Sequence, residues 1–538
     1  MTIKNPILKG FNPDPSIIRV GEDYYIATST FEWFPGVQIH HSTDLVNWTL
    51  VARPLNRLSQ LNMVGHPDSC GVWAPCLSYS KGTFYLVYSN VKSFAGVWKD
   101  TPNYLVTTKD ILGDWSDPIF LTASGFDGSL FHDEDNRVWY TSMLTDHRKG
   151  KFFGGILLQE FSIEKRQLIG KVYSIFNGSP LGITEAPHIY KRNGWYYLIT
   201  AEGGTEYGHA VSMARAKNIT GPYEIHPQNP IITARNNPEA PLQKCGHADL
   251  VETPEGEWMV VFLVGRPLTS RGRCTLGRET AIEVVEWRDD DWLYLKDGNK
   301  VPRLEIPLPN YNNVFSEKKN SKIVFDQNKI DINFQSLRIP ISEDWISLNT
   351  RKGYLRLFGK ESLSSLHHQS LLARRFEDFN TEASTAIEFE PAHFLQMAGL
   401  VAYYNTGHWY YLNIIGGEIG NGKKKYIQIT SCDNFTTTDI LDEPVELTGC
   451  QQIFLKVTMV KETLQFFYAI KENKWLPIGK TLDGSILSDD YVREGGDHYR
   501  PAFTGAFVGI CCQDLAGTKK HADFAWFEYS SSLKHLHG

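Results

Sequence analysis

Three carboxylates and an imidazole recur at one place in a repeated pattern: Asp14, Asp127, Glu185 and His247. Each opens a short apolar strand, followed by a turn and an aromatic-rich return strand. The plainest copy is Glu185-Ala186-Pro187-His188-Ile189-Tyr190 followed by Gly194-Trp195-Tyr196-Tyr197-Leu198-Ile199-Thr200. Burying like charges together is costly unless they are paired or used, because each raises the others' pKa. Glycosidic bond hydrolysis uses such groups: one carboxyl protonates the leaving oxygen, and another, across the sugar, activates water or attacks directly. Asp14 and Glu185 are the candidate pair, and a separation of about 6.5–9.5 Å would leave room for water and predict inversion. Asp127 is expected beside Glu185, where mutual repulsion keeps that acid protonated near neutral pH. The alternative for each carboxylate is a turn or strand-end cap; co-location at repeat-equivalent positions favours chemistry.

Other residues join this set with alternatives open. His247 could bind water, a cation or a sugar hydroxyl, or be a satisfied structural histidine; a metal site has no supporting ligand cluster. Arg278, in Leu276-Gly277-Arg278-Glu279-Thr280, could fork onto substrate hydroxyls, hold Asp14 ionised, or form a salt bridge with Glu279 or another surface acid. Trp73 and Phe31 could wall a sugar ring or pack a core.

The elements that must position these residues are hairpins. The pattern starts at Asp14, Ala74, Asp127, Glu185 and His247, at intervals of 60, 53, 58 and 62 residues. Five copies near the period of a four-stranded blade with long loops predict a five-bladed β-propeller over residues 1–310, with its openers converging on the axis. Residues 301–322, rich in proline and polar residues, read as a linker. Beyond it, alternating segments such as Tyr354-Leu355-Arg356-Leu357-Phe358 and Ile453-Phe454-Leu455-Lys456-Val457 predict an antiparallel β-sandwich over 323–538, as a carbohydrate-binding or structural lid. The fold class is all-β.

Composition agrees with this division. A chain of 538 residues is long for one core and suits two domains. Its 54 Lys and Arg against 61 Asp and Glu give a net charge of −7, so no basic footprint for nucleic acid or an anionic membrane exists. No apolar run has the length of a membrane span, and the start lacks a secretory pattern, so a cytoplasmic location is expected. Eight cysteines without CxxC spacing read as buried free thiols.

The motifs Asn12-Pro13-Asp14-Pro15, Ser29-Thr30-Phe31-Glu32-Trp33-Phe34-Pro35-Gly36, Trp73-Ala74-Pro75, Thr184-Glu185-Ala186-Pro187-His188 and Gly277-Arg278-Glu279-Thr280 together resemble glycoside hydrolase family 43, in particular its two-domain β-xylosidases. The likeness extends to Phe503-Thr504-Gly505-Ala506-Phe507-Val508-Gly509. It implies inverting exo-hydrolysis of β-1,4-xylosides, with Asp14 as general base, Glu185 as general acid and Asp127 as modulator and orienter. It also implies that Phe31, Trp73, Thr205, His247 and Arg278 line the sugar pocket, that a phenylalanine of the sandwich, Phe507 or else Phe503, closes it, and that the protein is a homo-oligomer such as a tetramer. Cys76 departs from the family, many members of which carry Asp after Trp-Ala-Pro.

The expected function is therefore release of xylose from the non-reducing end of xylo-oligosaccharides, without any cofactor, since acid, base and water suffice. An α-L-arabinofuranosidase or arabinan-degrading hydrolase is the alternative within enzymes. A propeller and sandwich that bind carbohydrate without turnover is the alternative outside them.

Overall fold

A computed structural model describes residues 2–307, 321–326, 329–420, 424–447, 449–494 and 501–531. Most of the linker stretch, residues 308–320, lies outside the described residues. The chain divides into two compact units. The first comprises Met1–Leu61, Cys70–Gly272 and Arg278–Ser316, and the second comprises Asn62–Ser69, Arg273–Gly277 and Glu317–Gly538.

The first unit is a five-bladed β-propeller of four-stranded antiparallel sheets. Blade 1 is Ser16–Val20, Asp23–Thr28, Gln38–Ser42 and Thr49–Ala52. The innermost strands of the other blades are Gly71–Ser80, Ser129–His132, Glu185–Arg192 and Gln243–Glu252. Each touches the next, and the last returns to Ser16–Val20, so the ring closes. Short β-branched and aromatic strands suit this arrangement because both faces of a blade are covered by its neighbours. Tyr85, Val87 and Leu105 of blade 2 meet Leu130, Val138 and Tyr140 of blade 3 in one buried cluster. Ile17, Tyr24 and Ile26 meet Val251, Met259 and Val261 in another, which seals blade 5 against blade 1. The N-terminal stretch bolts this seam: Thr2–Lys4 pairs with Glu305–Pro307, and buried Asn5 donates to the carbonyls of Ile282 and Arg303 at 2.8 Å each.

The second unit is a β-sandwich. In one sheet Leu355–Phe358, His521–Ser530, Asn380–Phe389, Gln452–Val460, Thr463–Ala469 and Leu476–Asp483 run side by side. In the other the order includes Lys425–Asp433, His408–Gly416, Gln396–Asn405, Phe507–Asp514 and Leu371–Arg375. Alternation sends Ile453, Leu455 and Val457 inward from one sheet to meet Leu400, Leu412 and Ile510 of the other.

Asn62–Ser69 and Arg273–Gly277 belong to this second unit, although they interrupt the propeller sequence. Arg338, 1% exposed at its side chain, pairs with Asp68 at 2.8 Å and donates to the His66 carbonyl at 2.7 Å. Arg273 pairs with Glu494 at 2.7 Å, and the Cys274 amide donates to Asp490 at 2.8 Å. Sequence patterning gave no sign of these two excursions. Among the described residues the single α-helix is Asp489–Glu494, and no helix is long and apolar enough to cross a membrane.

Candidate active site

Residues in left-handed backbone mark one equivalent point on each blade: Asp14 (φ 55°), Ala74 (φ 26°), Asp127 (φ 56°), Ala186 (φ 52°) and His247 (φ 47°). Each is followed by Pro, Gly or Ala, then by Ser16, Cys76, Ser129, His188 or Asp249, then by Ile or Leu. Such a conformation is uncommon outside glycine, and its recurrence at one site points to function. It also corrects the expected repeat, because the fourth-blade equivalent of Asp14 is Ala186, and Glu185 stands one residue ahead of it. A β-bulge accompanies the offset. Glu185 pairs with Ala201 and His188 with Ile199, so one extra residue is accommodated, and Trp73 to Cys76 shows the same shift in blade 2. Bulges re-aim side chains near functional sites. Here the backbone of bulged Ala186 hydrogen-bonds the Asp127 carboxylate.

Asp14, Asp127 and Glu185 are gathered close enough to perturb one another. Burial pushes Glu185 up to about 8, with the charge of Asp14 adding to it and Arg278 opposing. Burial likewise raises Asp127 well above the carboxylate range, with Glu185 and then Asp14 contributing. The leading cause of the Glu185 shift is thus burial, with repulsion among the neighbouring carboxyls adding to it. Asp14 is raised by burial too, but Ser29 donates to its Oδ2 at 2.6 Å and Arg278 favours its charge. Asp14 therefore has the best-supported carboxylate of the three, while the Glu185 carboxyl keeps its proton at neutral pH.

His247 Nδ1 lies 3.7 Å from Asp14 Oδ1, beyond hydrogen-bond length. Burial, with His188 nearby, drops His247 to about 3, so the imidazole is neutral. His209 is also neutral, held near 4 by burial. The absence of a side chain at Gly246 makes room for it, since a Cβ there would stand 2.3 Å from the His209 ring. Adjacent Glu279 binds Arg266 at 2.6 Å, and Arg278 is 2% exposed. Its Nη2 reaches Glu206 Oε1 at 3.2 Å and the Thr205 carbonyl at 3.4 Å. Thr205 is thus tied to Arg278 through its backbone.

Phe31 and Trp73 are neighbours, ring centroids 5.8 Å apart, and both are largely buried. The aromatic wall continues from Trp73 to Phe94 at 4.7 Å and Phe126 at 5.4 Å, then from Phe94 to Phe152 at 5.8 Å. Phe152 lines a cavity of about 340 Å³ between blades 2 and 3, with Trp98, Lys99, Thr145 and Asp146. The cavity opens at the end of the propeller where the carboxyls sit, because Thr145 ends the strand that runs back beside the start of Ser129–His132. Cys76 occupies the strand position of Ser16, Ser129, His188 and Asp249; burial pushes its thiol to about 12 and leaves it an uncharged packing group. In the second unit, Phe507 opens a strand opposite Arg375 and Tyr403 and is fully buried, and Phe503 lies under Arg493 at 4.9 Å.

Ser29, Glu206, His209 and Lys244 are site residues that sequence reasoning missed. Ser29 lies inside a quoted motif, but no spacing distinguished it; the other three sit outside the repeat, two in a loop and one just ahead of His247.

Comparison with known proteins supplies independent findings. The family model described as Glycosyl hydrolases family 43 matches residues 3–293, and one described as Beta xylosidase C-terminal Concanavalin A-like domain matches 322–530. The chain is 50% identical over 541 residues to a beta-xylosidase of Bacillus subtilis (strain 168), covering 98% of this chain and 99% of that protein. It is 49% identical to xylosidase/arabinosidase 43B of Humicola insolens, over 98% and 97% of the two chains. The crystal structure of a xylan beta-1,4-xylosidase from Bacillus halodurans C-125 superposes with a TM-score of 0.94 at 48% identity, covering 98% of this chain and all of that one.

Proposed function

The chain belongs to glycosyl hydrolase family 43, and from that premise we propose that it is an inverting, exo-acting β-xylosidase. In this reading it releases xylose from the non-reducing end of β-1,4-xylo-oligosaccharides and has side activity on α-L-arabinofuranosides. The observation that carries it is the division of labour among the buried carboxyls. Glu185, at about 8, holds a proton at neutral pH, while Asp14 takes a hydrogen bond from Ser29 and the field of Arg278.

Asp14 accepts a proton from a water molecule as that water attacks the anomeric carbon. Glu185 donates its proton to the glycosidic oxygen as the bond breaks. The sugar leaves with inverted configuration. Asp127, held by the Ala186 amide, orients Glu185. Phe31 and Trp73 wall the sugar, and Arg278 and neutral His247 address its hydroxyls. The leaving-group sugars are assigned to the cavity between blades 2 and 3, where Trp98, 75% exposed, offers a stacking face.

The name of the Humicola insolens relative favours a second activity on arabinofuranosides. Proton NMR of xylobiose in the opening minutes tests the whole reading. Early α-xylose supports it, early β-xylose makes one carboxylate a nucleophile, and activity only on an aryl α-L-arabinofuranoside reverses the order of the two substrates.

Eight free cysteines support a reducing, cytoplasmic setting. Homo-oligomerisation, expected from the family resemblance, is read directly by light scattering.

A further inference from the structure

We propose that Lys244 and Glu206 are positioning residues for the reaction, with Glu206 bridging the Lys244 ammonium to the Arg278 guanidinium and so fixing Arg278 against the catalytic carboxyls. The inference rests on the reading of Asp14 as the base.

Three elements meet in this bridge. Lys244 lies on the innermost strand of blade 5, in left-handed backbone (φ 55°), where the strand is bulged between Gln243 and Gly246. Its side chain is 1% exposed, and its Nζ stands 3.1 Å from Glu206 Oε2. Glu206 comes from the blade 4 loop at residues 203–209, and its other oxygen, Oε1, meets Arg278 Nη2 at 3.2 Å. Arg278 opens the third strand of blade 5, Arg278–Trp287. The backbone is tied in as well, since His209 Nδ1 and the Lys244 carbonyl are 3.0 Å apart.

A fully buried lysine is a poor choice for packing, because its charge must leave water. Its value lies in the sum of charges. Glu206 alone would neutralise Arg278; with Lys244 the trio keeps one net positive charge beside Asp14. That charge favours the carboxylate that must accept water's proton, while the bridge fixes the position of the Arg278 side chain. The charged and titratable groups described around Asp14 are Asp127, Glu185, Arg278, His209 and His247. Around Lys244 and Glu206 they include Arg278, the Tyr207 ring at 5.1 Å from Lys244, and Arg271 over that ring.

The test is the pH dependence of kcat/KM for wild type, Lys244→Met, Glu206→Gln and the double variant, using whichever aryl glycoside the wild type cleaves. Lys244→Met leaves the trio neutral, so the acid limb moves to higher pH and activity there falls roughly tenfold or more, with a smaller loss on the basic side. Glu206→Gln leaves two positive charges and moves the limb to lower pH, with KM raised because Arg278 has lost its clamp. In the double variant the two shifts cancel, and Lys244→Arg keeps the wild-type limb. A uniform loss in Lys244→Met at every pH, or shifts that fail to cancel, would overturn the proposal. Should Lys244→Met not fold, Glu206→Gln decides alone, and an unmoved limb rejects the bridge. Should the wild type cleave neither glycoside, the β-xylosidase reading fails by itself, and carboxyl NMR of Asp14 in the same variants still decides the electrostatic claim.

Discussion

Ala186 holds in blade 4 the left-handed backbone position that Asp14 holds in blade 1, so Glu185 and Asp14, the proposed acid and base, stand one residue out of step on equivalent strands. A one-residue step at a strand end changes the direction in which a side chain leaves the backbone. Two blades of the same construction thus present their carboxyls differently, as the proposed reaction requires of a group that takes a proton from water and one that gives a proton to the glycosidic oxygen. The bulge between Glu185 and His188 absorbs the extra residue, and the Ala186 backbone then bonds Asp127.

Replacing the proton donor separates substrates by leaving group. Glu185→Gln lowers kcat on xylobiose by roughly 10²–10⁴-fold, the usual worth of general acid catalysis, and barely affects an aryl xyloside with a good leaving group. Steady-state rates on both substrates check this; equal losses would remove Glu185 from the acid role.

The same carboxyl sets a stability slope. Its folded-state pKa of about 8 exceeds the ordinary 4.5, so its contribution is fully present below pH 4.5 and is lost as pH rises through about 8. Glu185→Gln has no such loss. Its melting temperature relative to wild type therefore climbs across that window, as scanning calorimetry at several pH values will show.

Trp98 is expected to matter for chain length. Trp98→Ala raises KM for xylotriose by about fivefold to tenfold, equivalent to about 1–1.4 kcal/mol of lost stacking, and leaves KM for a small aryl xyloside nearly unchanged. An equal rise on both would place the leaving-group sugars elsewhere.

Asp68 is predicted to be a stability residue. Asp68→Ala removes the carboxylate paired with the buried Arg338 guanidinium, which is 1% exposed, and costs about 3–5 kcal/mol in the unit that contains both. Denaturant unfolding reads the loss, and Asp68→Ala/Arg338→Met recovers most of it.

The blades, the sandwich and the gathering of Asp14, Asp127 and Glu185 were legible in the sequence because period-two strands, turn residues and repeat spacing are local signals that survive without coordinates. Asp14, Asp127 and Glu185 stood out because each opens or adjoins an inner strand. Tertiary structure alone decided the rest. The Glu185 offset depends on a backbone conformation that any Glu-Ala-Pro could decline to adopt. The pairing of Arg278 with Glu206, and of adjacent Glu279 with Arg266, depends on which side of a strand each charge faces. Lys244, Glu206 and His209 meet only because separate blades and a loop converge at the axis, and the anchoring of residues 62–69 and 273–277 in the second unit depends on partners hundreds of positions away. Such contacts leave no period in a chain, because they are set by where a fold closes and not by what lies next in sequence.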